Sequence, residues 1–161
     1  ELQTPIREMT NTVWTGDETI DYLINSKAMS AQENKIEFQA QAEFPRHTSL
    51  RSADLCAVLG NLLDNALEAA RQIPEPKQRF IHLTIHRINQ MLVIKVENSF
   101  VTAPIEADGA LKTSKDRDGL HGWGLKSAQT AAEKYDSMVQ TSYSENTFRA
   151  VAVLSYQNLK I

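Results

Sequence analysis

The stretch KIEFQAQAEF, Lys35 to Phe44, alternates without a break. Successive side chains of a strand point to opposite faces, so Ile36, Phe38, Ala40, Ala42 and Phe44 share one side while Glu37, Gln39, Gln41 and Glu43 share the other. A strand with one wet face belongs in an antiparallel or mixed sheet, not in a parallel sheet covered by helices on both sides. The apolar face needs a layer of helices to cover it.

Those helices are written on either side. In TGDETIDYLINSKAMSA, Thr15 and Glu18 have capping-box spacing, and Ile20, Leu23, Ile24, Ala28 and Ala31 trace one helical face. SADLCAVLGNLLDNALEAARQIP is the strongest helix, stopped by Pro74. RFIHLTIHRI and MLVIKVENS read as two strands joined in a hairpin at Asn89-Gln90, with Ile81, Leu83, Ile85 and Leu92, Ile94, Val96 facing inward. Ser99 to Leu120 is roughly twenty residues with no period, longer than most connections and of a length that favours a functional loop or disorder. A third helix is expected from Gly124 to about Tyr135, with Leu125, Ala128, Ala132 and Tyr135 inward, followed by strands near 138–144 and 148–156. The order α, β, α, β, β, loop, α, β, β implies a two-layer α/β (α+β) sandwich. Its sheet is mixed, mostly antiparallel and of about five strands, with three helices on one face.

A chain of 161 residues with 42% hydrophobic residues can bury one adequate core, so a single domain is expected over 15–161. Residues 1–14, with Pro5 and Trp14, read as a lead-in segment, and a start at Glu1 suggests a piece of something longer. The net charge of −3 argues against a nucleic-acid partner. Cys56 is the only cysteine, which excludes an internal disulfide and suits a reducing compartment. No signal-peptide pattern or membrane-length apolar run is present, so a soluble fragment is expected.

Two features of the chain are not needed for packing. At 100° per residue, Asn61, Asn65 and Glu68 lie within roughly 60° of one another on the central helix, opposite Leu55, Leu59, Leu62, Leu63, Ala66 and Ala70. They are either an ordinary solvated face or a hard-oxygen site of the kind magnesium shares with phosphates and water. The second feature is DGLHGWGLKSAQ, where three of the six glycines, at 119, 122 and 124, lead into a helix. Unpartnered N–H groups at a helix start suit phosphate. The dinucleotide pattern G-x-G-x-x-G does not fit this spacing, and no strand precedes it. The P-loop pattern fails because Leu125 intrudes before Lys126-Ser127 and LKTSKDRD is no buried strand.

NLLDNALEAA (61–70) resembles the N box of the GHKL ATPase superfamily, which includes sensor histidine kinases, gyrase, Hsp90 and MutL. HGWGLKSA (121–128) resembles its second glycine box, and VIKVENS stands where the first would be. With TSK at 113–115, the set is most similar to the peptide quorum-sensing, Agr-type branch of histidine kinases, over residues 15 to 156. The resemblance implies the Bergerat-type ATP-binding fold, ATP and Mg2+ as ligands, and γ-phosphoryl transfer to a histidine on a separate dimerisation hairpin. It also implies a response regulator downstream and a place on the cytoplasmic side of a bacterial membrane receptor.

Carried over by position, Asn65 is the magnesium ligand, and Asn61 stands where ATP-hydrolysing relatives keep a general-base glutamate. An amide cannot take a proton from water, which suits holding ATP for transfer. Glu68 completes the polar stripe. Thr113, Ser114, Lys115, His121, Gly122, Trp123, Gly124 and Leu125 are expected around the nucleotide, with backbone N–H groups of 122–125 on the phosphates and charge from Lys115 and Lys126. Four cations against two anions within 112–126 suit a triphosphate. The usual D-x-G-x-G lacks its aspartate and both glycines here; Asn98 is the nearest stand-in for the adenine reader, or else a strand-end amide. His121 either packs the loop or meets the nucleotide, and Trp123 is either an anchor or an adenine-side contact. His82 and His86 are expected as surface residues. None of His47, His82, His86 or His121 sits in a long helix beside an acid, so no phosphoacceptor is expected and the fragment is expected to be a monomer. The competing readings are a degenerate GHKL scaffold without phosphotransfer and a GHKL-type ATPase.

Overall fold

The computed structural model describes residues 15–45, 48–101, 130, 131, 133, 135 and 139–157. Helix α1 spans Glu18–Glu33, strand β1 Glu37–Ala42, helix α2 Ser52–Arg71, strand β2 Phe80–Ile88, strand β3 Met91–Ser99, strand β4 Val139–Ser144 and strand β5 Thr147–Ser155. One five-stranded sheet has the order β1-β2-β3-β5-β4. β1 runs parallel to β2, and every other pair is antiparallel. This is the mixed, mostly antiparallel sheet that the alternation in β1 demands.

The inward residues of β2 and β3 (Ile81, Leu83, Ile85, Leu92, Ile94 and Val96) are all buried, as their alternation predicts. Leu55, Val58, Leu59, Leu62, Leu63, Ala66, Leu67 and Ala70 of α2 pack into the same core. Burying a leucine or isoleucine contributes about 1.5–3 kcal/mol, so this helix is held by its sheet-facing arc far more than by its propensity. The β2–β3 hairpin turns at Asn89 and Gln90, with Asn89 at φ 54, a left-handed value that asparagine tolerates well.

Two expectations are corrected. The N-cap of α1 is Asp17, not Thr15: the Asp17 carboxylate accepts from the N–H groups of Thr19 at 2.9 Å and Ile20 at 3.2 Å. Thr15 instead donates its N–H and its hydroxyl to Asp21, both at 2.7 Å. Gly16 at φ 97 lets the chain turn so that the later aspartate meets the helix end. Second, the described residues hold two α-helices where three were expected. The expected helix from Gly124 to Tyr135 lies largely outside them, although Thr130, Ala131 and Glu133 are helical, and Ala131 and Tyr135 are buried in the core. His82 and His86 lie on the outer sheet face, as their alternation predicts, and each is half-buried there. The His82 ring lies 4.9 Å from that of Phe80, and its Nε2 is shielded from solvent. Neighbouring side chains on a twisted sheet cover one another even without a helix above them.

Both helices end at the same edge of the core. Arg79, just before β2, donates Nε to the carbonyl of Ile73 at 2.8 Å and Nη1 to the carbonyl of Asn34 at 2.9 Å. A guanidinium there supplies donors to carbonyls that lack helical partners, at the negative ends of two helix dipoles. The bond also fixes the start of β2 beside the C-terminal end of α2. Among the described residues no helix is long and apolar enough to cross a membrane.

Candidate functional site

The polar stripe of α2 runs along one flank of the helix. Asn61 and Asn65 are half-buried and Glu68 is exposed. The other flank is taken by α1, where Lys27 donates to Asp64 at 2.6 Å and Leu23 lies next to Gly60. Both amides sit at the border between the buried arc and solvent, so each keeps one side open to water or to a ligand. Hydrogen-bonding atoms set in an apolar wall are what a polar ligand needs for orientation.

Residues on two other elements mark the ends of this flank. Asn98, near the end of β3, is 2% exposed. It is on the inner face, in register with Ile81 and Phe148. Since Arg79 ties the start of β2 to the end of α2, Asn98 belongs to the C-terminal end of the flank. Its amide nitrogen donates to the Ser99 carbonyl at 2.9 Å, which directs the amide oxygen away as an acceptor. Ser99 is also buried, and its hydroxyl accepts from the Phe80 N–H at 3.0 Å. Phe100 then donates its N–H to the Asn146 carbonyl at 3.0 Å.

At the N-terminal end, Tyr135 donates its hydroxyl to Asp54 Oδ2 at 2.6 Å and accepts from the Arg51 N–H at 3.1 Å. Burial, and then the bond to the Asp54 carboxylate, push its phenol pKa up. Asp54 was not singled out from the sequence, yet the signal was there: at 100° per residue it falls within the same 60° arc as Asn61, Asn65 and Glu68. The stripe therefore begins two turns earlier than the two asparagines suggest.

The chain leaves the sheet after Ser99 at one end of α2 and returns through Tyr135 at the other. Thr113, Ser114, Lys115, His121, Gly122, Trp123, Gly124 and Leu125, together with Lys126, belong to the stretch between these points and lie outside the described residues. An open cavity of about 580 Å³ lies elsewhere, lined by Thr15, Asp17, Phe44, Pro45, Thr48 and Leu55 among others. It contains none of the expected site residues. Cys56 is half-buried; burial and then the nearby Asp17 carboxylate raise its thiol pKa, the opposite of activation.

Residues 50–154 match the family description "GHKL domain". The chain belongs to the GHKL family. Helix α1 and strand β1 precede the matched span but share its sheet and core, so the domain begins before residue 50. No curated protein matches the chain in sequence. Among solved structures it is similar to the nucleotide-free catalytic domain of histidine kinase ThkA, at a TM-score of 0.65 and 18% identity over 91% of this chain and 96% of that one. Another crystal form of that domain gives 0.63 and 15%, over 91% and 97%. The histidine kinase AdeS of Acinetobacter baumannii gives 0.56 and 13%, over 96% and 74%. At such identities the likeness concerns the fold: an α/β sandwich on a five-stranded mixed sheet.

The donors present fit a nucleotide with its cation. Among the described residues no group of three or more His, Cys, Asp or Glu side chains comes together. The flank instead carries amide oxygens, the Asp54 and Glu68 carboxylates, and the buried Asn98 amide at its end. Magnesium takes one or two protein oxygens and completes its shell with phosphate and water, so a sparse oxygen-only set suits it.

Proposed function

We propose that this chain is the catalytic, ATP-binding domain, spanning 15–161, of a bacterial sensor histidine kinase. It presents the γ-phosphoryl group of Mg-ATP to a histidine on a separate dimerisation hairpin. The observation that carries this reading is the half-buried amide stripe of α2 running between Asn98 and Tyr135, in a chain that belongs to the GHKL family.

In this reading the Asn65 carbonyl oxygen holds the magnesium, and Glu68 borders the phosphates. Asn98 accepts from the adenine amino group. The backbone N–H groups of Gly122, Trp123, Gly124 and Leu125 serve the phosphates, with Thr113, Ser114, Lys115 and His121 nearby. Asn61 supports transfer over hydrolysis, since it has no basic lone pair for an attacking water. Magnesium when bound neutralises phosphate charge; the chain's own part is to hold the nucleotide in line and keep water away. The Agr-type peptide-sensing branch, a membrane receptor with this domain on the cytoplasmic side, a response regulator downstream and a monomeric fragment belong to the same proposal. They rest on the resemblance of NLLDNALEAA, TSK and HGWGLKSA.

Titration calorimetry with Mg-ATP and Mg-ADP tests the reading. Binding at micromolar to millimolar nucleotide is expected, and no heat at millimolar concentrations overturns it. Phosphate transfer to a supplied hairpin, without steady ATP turnover by the fragment alone, is the second expected result. Asn98 in place of the usual aspartate favours one other reading, a GHKL scaffold that binds nucleotide without phosphotransfer. Labelled phosphate appearing on the hairpin removes it.

A further inference from the structure

We infer that the Tyr135–Asp54 hydrogen bond is a positioning contact for the nucleotide site, setting the rotation of α2 and with it the placement of Asn61 and Asn65. The inference rests on the nucleotide reading above. Packing alone would ask only for an apolar ring at 135, which phenylalanine supplies. The chain instead builds a relay at the first turn of α2: the Arg51 N–H donates to the Tyr135 hydroxyl at 3.1 Å, and that hydroxyl donates to Asp54 Oδ2 at 2.6 Å. Arg51 is the N-cap of α2 and its own side chain makes no cap bond, so the phenol takes part in closing this helix end. Tyr135 is also fixed from the sheet side, where its carbonyl accepts from the Ser155 N–H at 3.1 Å. One residue thus ties the end of β5 to the stripe-bearing flank of α2.

The geometry makes this flank sensitive. Asp54 is 7% exposed and Tyr135 9%, so neither group has water as a ready substitute partner. Asn61 and Asn65 lie on the same line, about 10 and 16 Å further along the helix at 1.5 Å per residue. Side-chain tips stand about 6 Å from a helix axis, so a rotation of about 10° carries each amide about 1 Å sideways. A displacement of about 1 Å at a positioning group is enough to cost a large factor in binding or rate.

Tyr135→Phe keeps the ring and removes the hydroxyl. The expected result is an about tenfold weaker Kd for Mg-ATP, measured by calorimetry well below the melting temperature, with the near-ultraviolet circular dichroism of the unaltered chain retained. A purely structural staple would lower the melting temperature and leave that Kd unchanged, and this result overturns the inference. A second measurement uses the unaltered chain and stands even if the variant fails to fold. Because coupling is reciprocal, saturating Mg-ATP must slow hydrogen exchange at the Arg51 amide, by up to the same factor of about ten. Unchanged exchange at Arg51 overturns the inference as well. If the unaltered chain binds no Mg-ATP, the nucleotide reading itself falls and takes this inference with it, a result distinct from normal binding by the variant.

Discussion

The Ser52 hydroxyl donates to Asp17 Oδ2 at 2.5 Å, joining the first residue of α2 to the cap of α1. The same carboxylate accepts two N–H groups at the start of α1, so one side chain organises two helix N-termini. The bond from Ser52 chiefly, with the backbone bonds of Ile20 and Thr19, lowers the Asp17 pKa, and burial works against them.

The sign of the pH effect follows. A carboxyl whose pKa is depressed by folding contributes stability that is present above the ordinary aspartate range and is lost as pH falls through the lowered folded value. Asp17→Asn keeps an acceptor for the cap and removes the charge. The stability gap between the original chain and this variant is expected at neutral pH and should shrink as the solution is acidified below the ordinary carboxylate range. Asp17→Ala also loses the cap, and should cost about 1–2 kcal/mol at neutral pH. Urea denaturation at a series of pH values measures both.

Arg79 serves two helix ends at once, through the carbonyls of Ile73 and Asn34. Arg79→Met keeps an apolar stem and removes five donors. The variant is expected to lose about 2 kcal/mol, the usual scale for hydrogen bonds from a charged donor, with little change in the denaturant slope. Lysine should rescue only part of this, because a single ammonium lacks the planar fork that reaches both carbonyls.

Asn65 lies on the flank of α2 away from α1, half-buried beside the core arc. Asn65→Ala is expected to weaken Mg-ATP binding about tenfold, a loss of about 1.4 kcal/mol, while ATP measured in excess chelator changes little. Equal weakening in both conditions would assign the amide to the nucleotide and not to the metal. Calorimetry with and without magnesium distinguishes them.

The parts of the fold legible from sequence were those where one physical period dominates. β1 alternates because only one of its faces is covered, and the inward residues of β2 and β3 were recovered for the same reason. Local geometry was less readable. Thr15 and Glu18 have the spacing of a cap, but Asp17 wins because a glycine just before it redirects the chain, a competition that spacing does not resolve. The outer face of β2 followed from the same alternation, but spacing gave no sign that the Phe80 ring lies against His82 there. At the proposed site, helical geometry placed Asn61, Asn65 and Glu68 on one arc of α2, where the two amides are half-buried and Glu68 is exposed. Asp54 was missed because its role depends on Tyr135, 81 residues away in sequence. A long-range hydrogen bond leaves no period to detect.

Asn98 provides the sharpest test of the proposed adenine contact. The residue is buried, and its amide nitrogen is committed to the Ser99 carbonyl at 2.9 Å. Its oxygen is therefore oriented as an acceptor, able to accept a hydrogen bond from the adenine amino group but repelled by the carbonyl that guanine carries in its place. Asn98→Ala removes that discrimination. The expected outcome is a ratio of ATP to GTP affinity lower by about five- to tenfold, the scale of one net hydrogen bond plus the penalty for a mismatched acceptor. Asn98→Asp, which restores the charge usual in the wider family, is expected not to improve the ratio. One carboxylate oxygen would face the Ser99 carbonyl at hydrogen-bond distance without a proton between them, a buried repulsion that either displaces the side chain or raises its pKa until it protonates. The measurement is competition between the two nucleotides for each variant, with thermal melting to show what the buried carboxylate costs the fold.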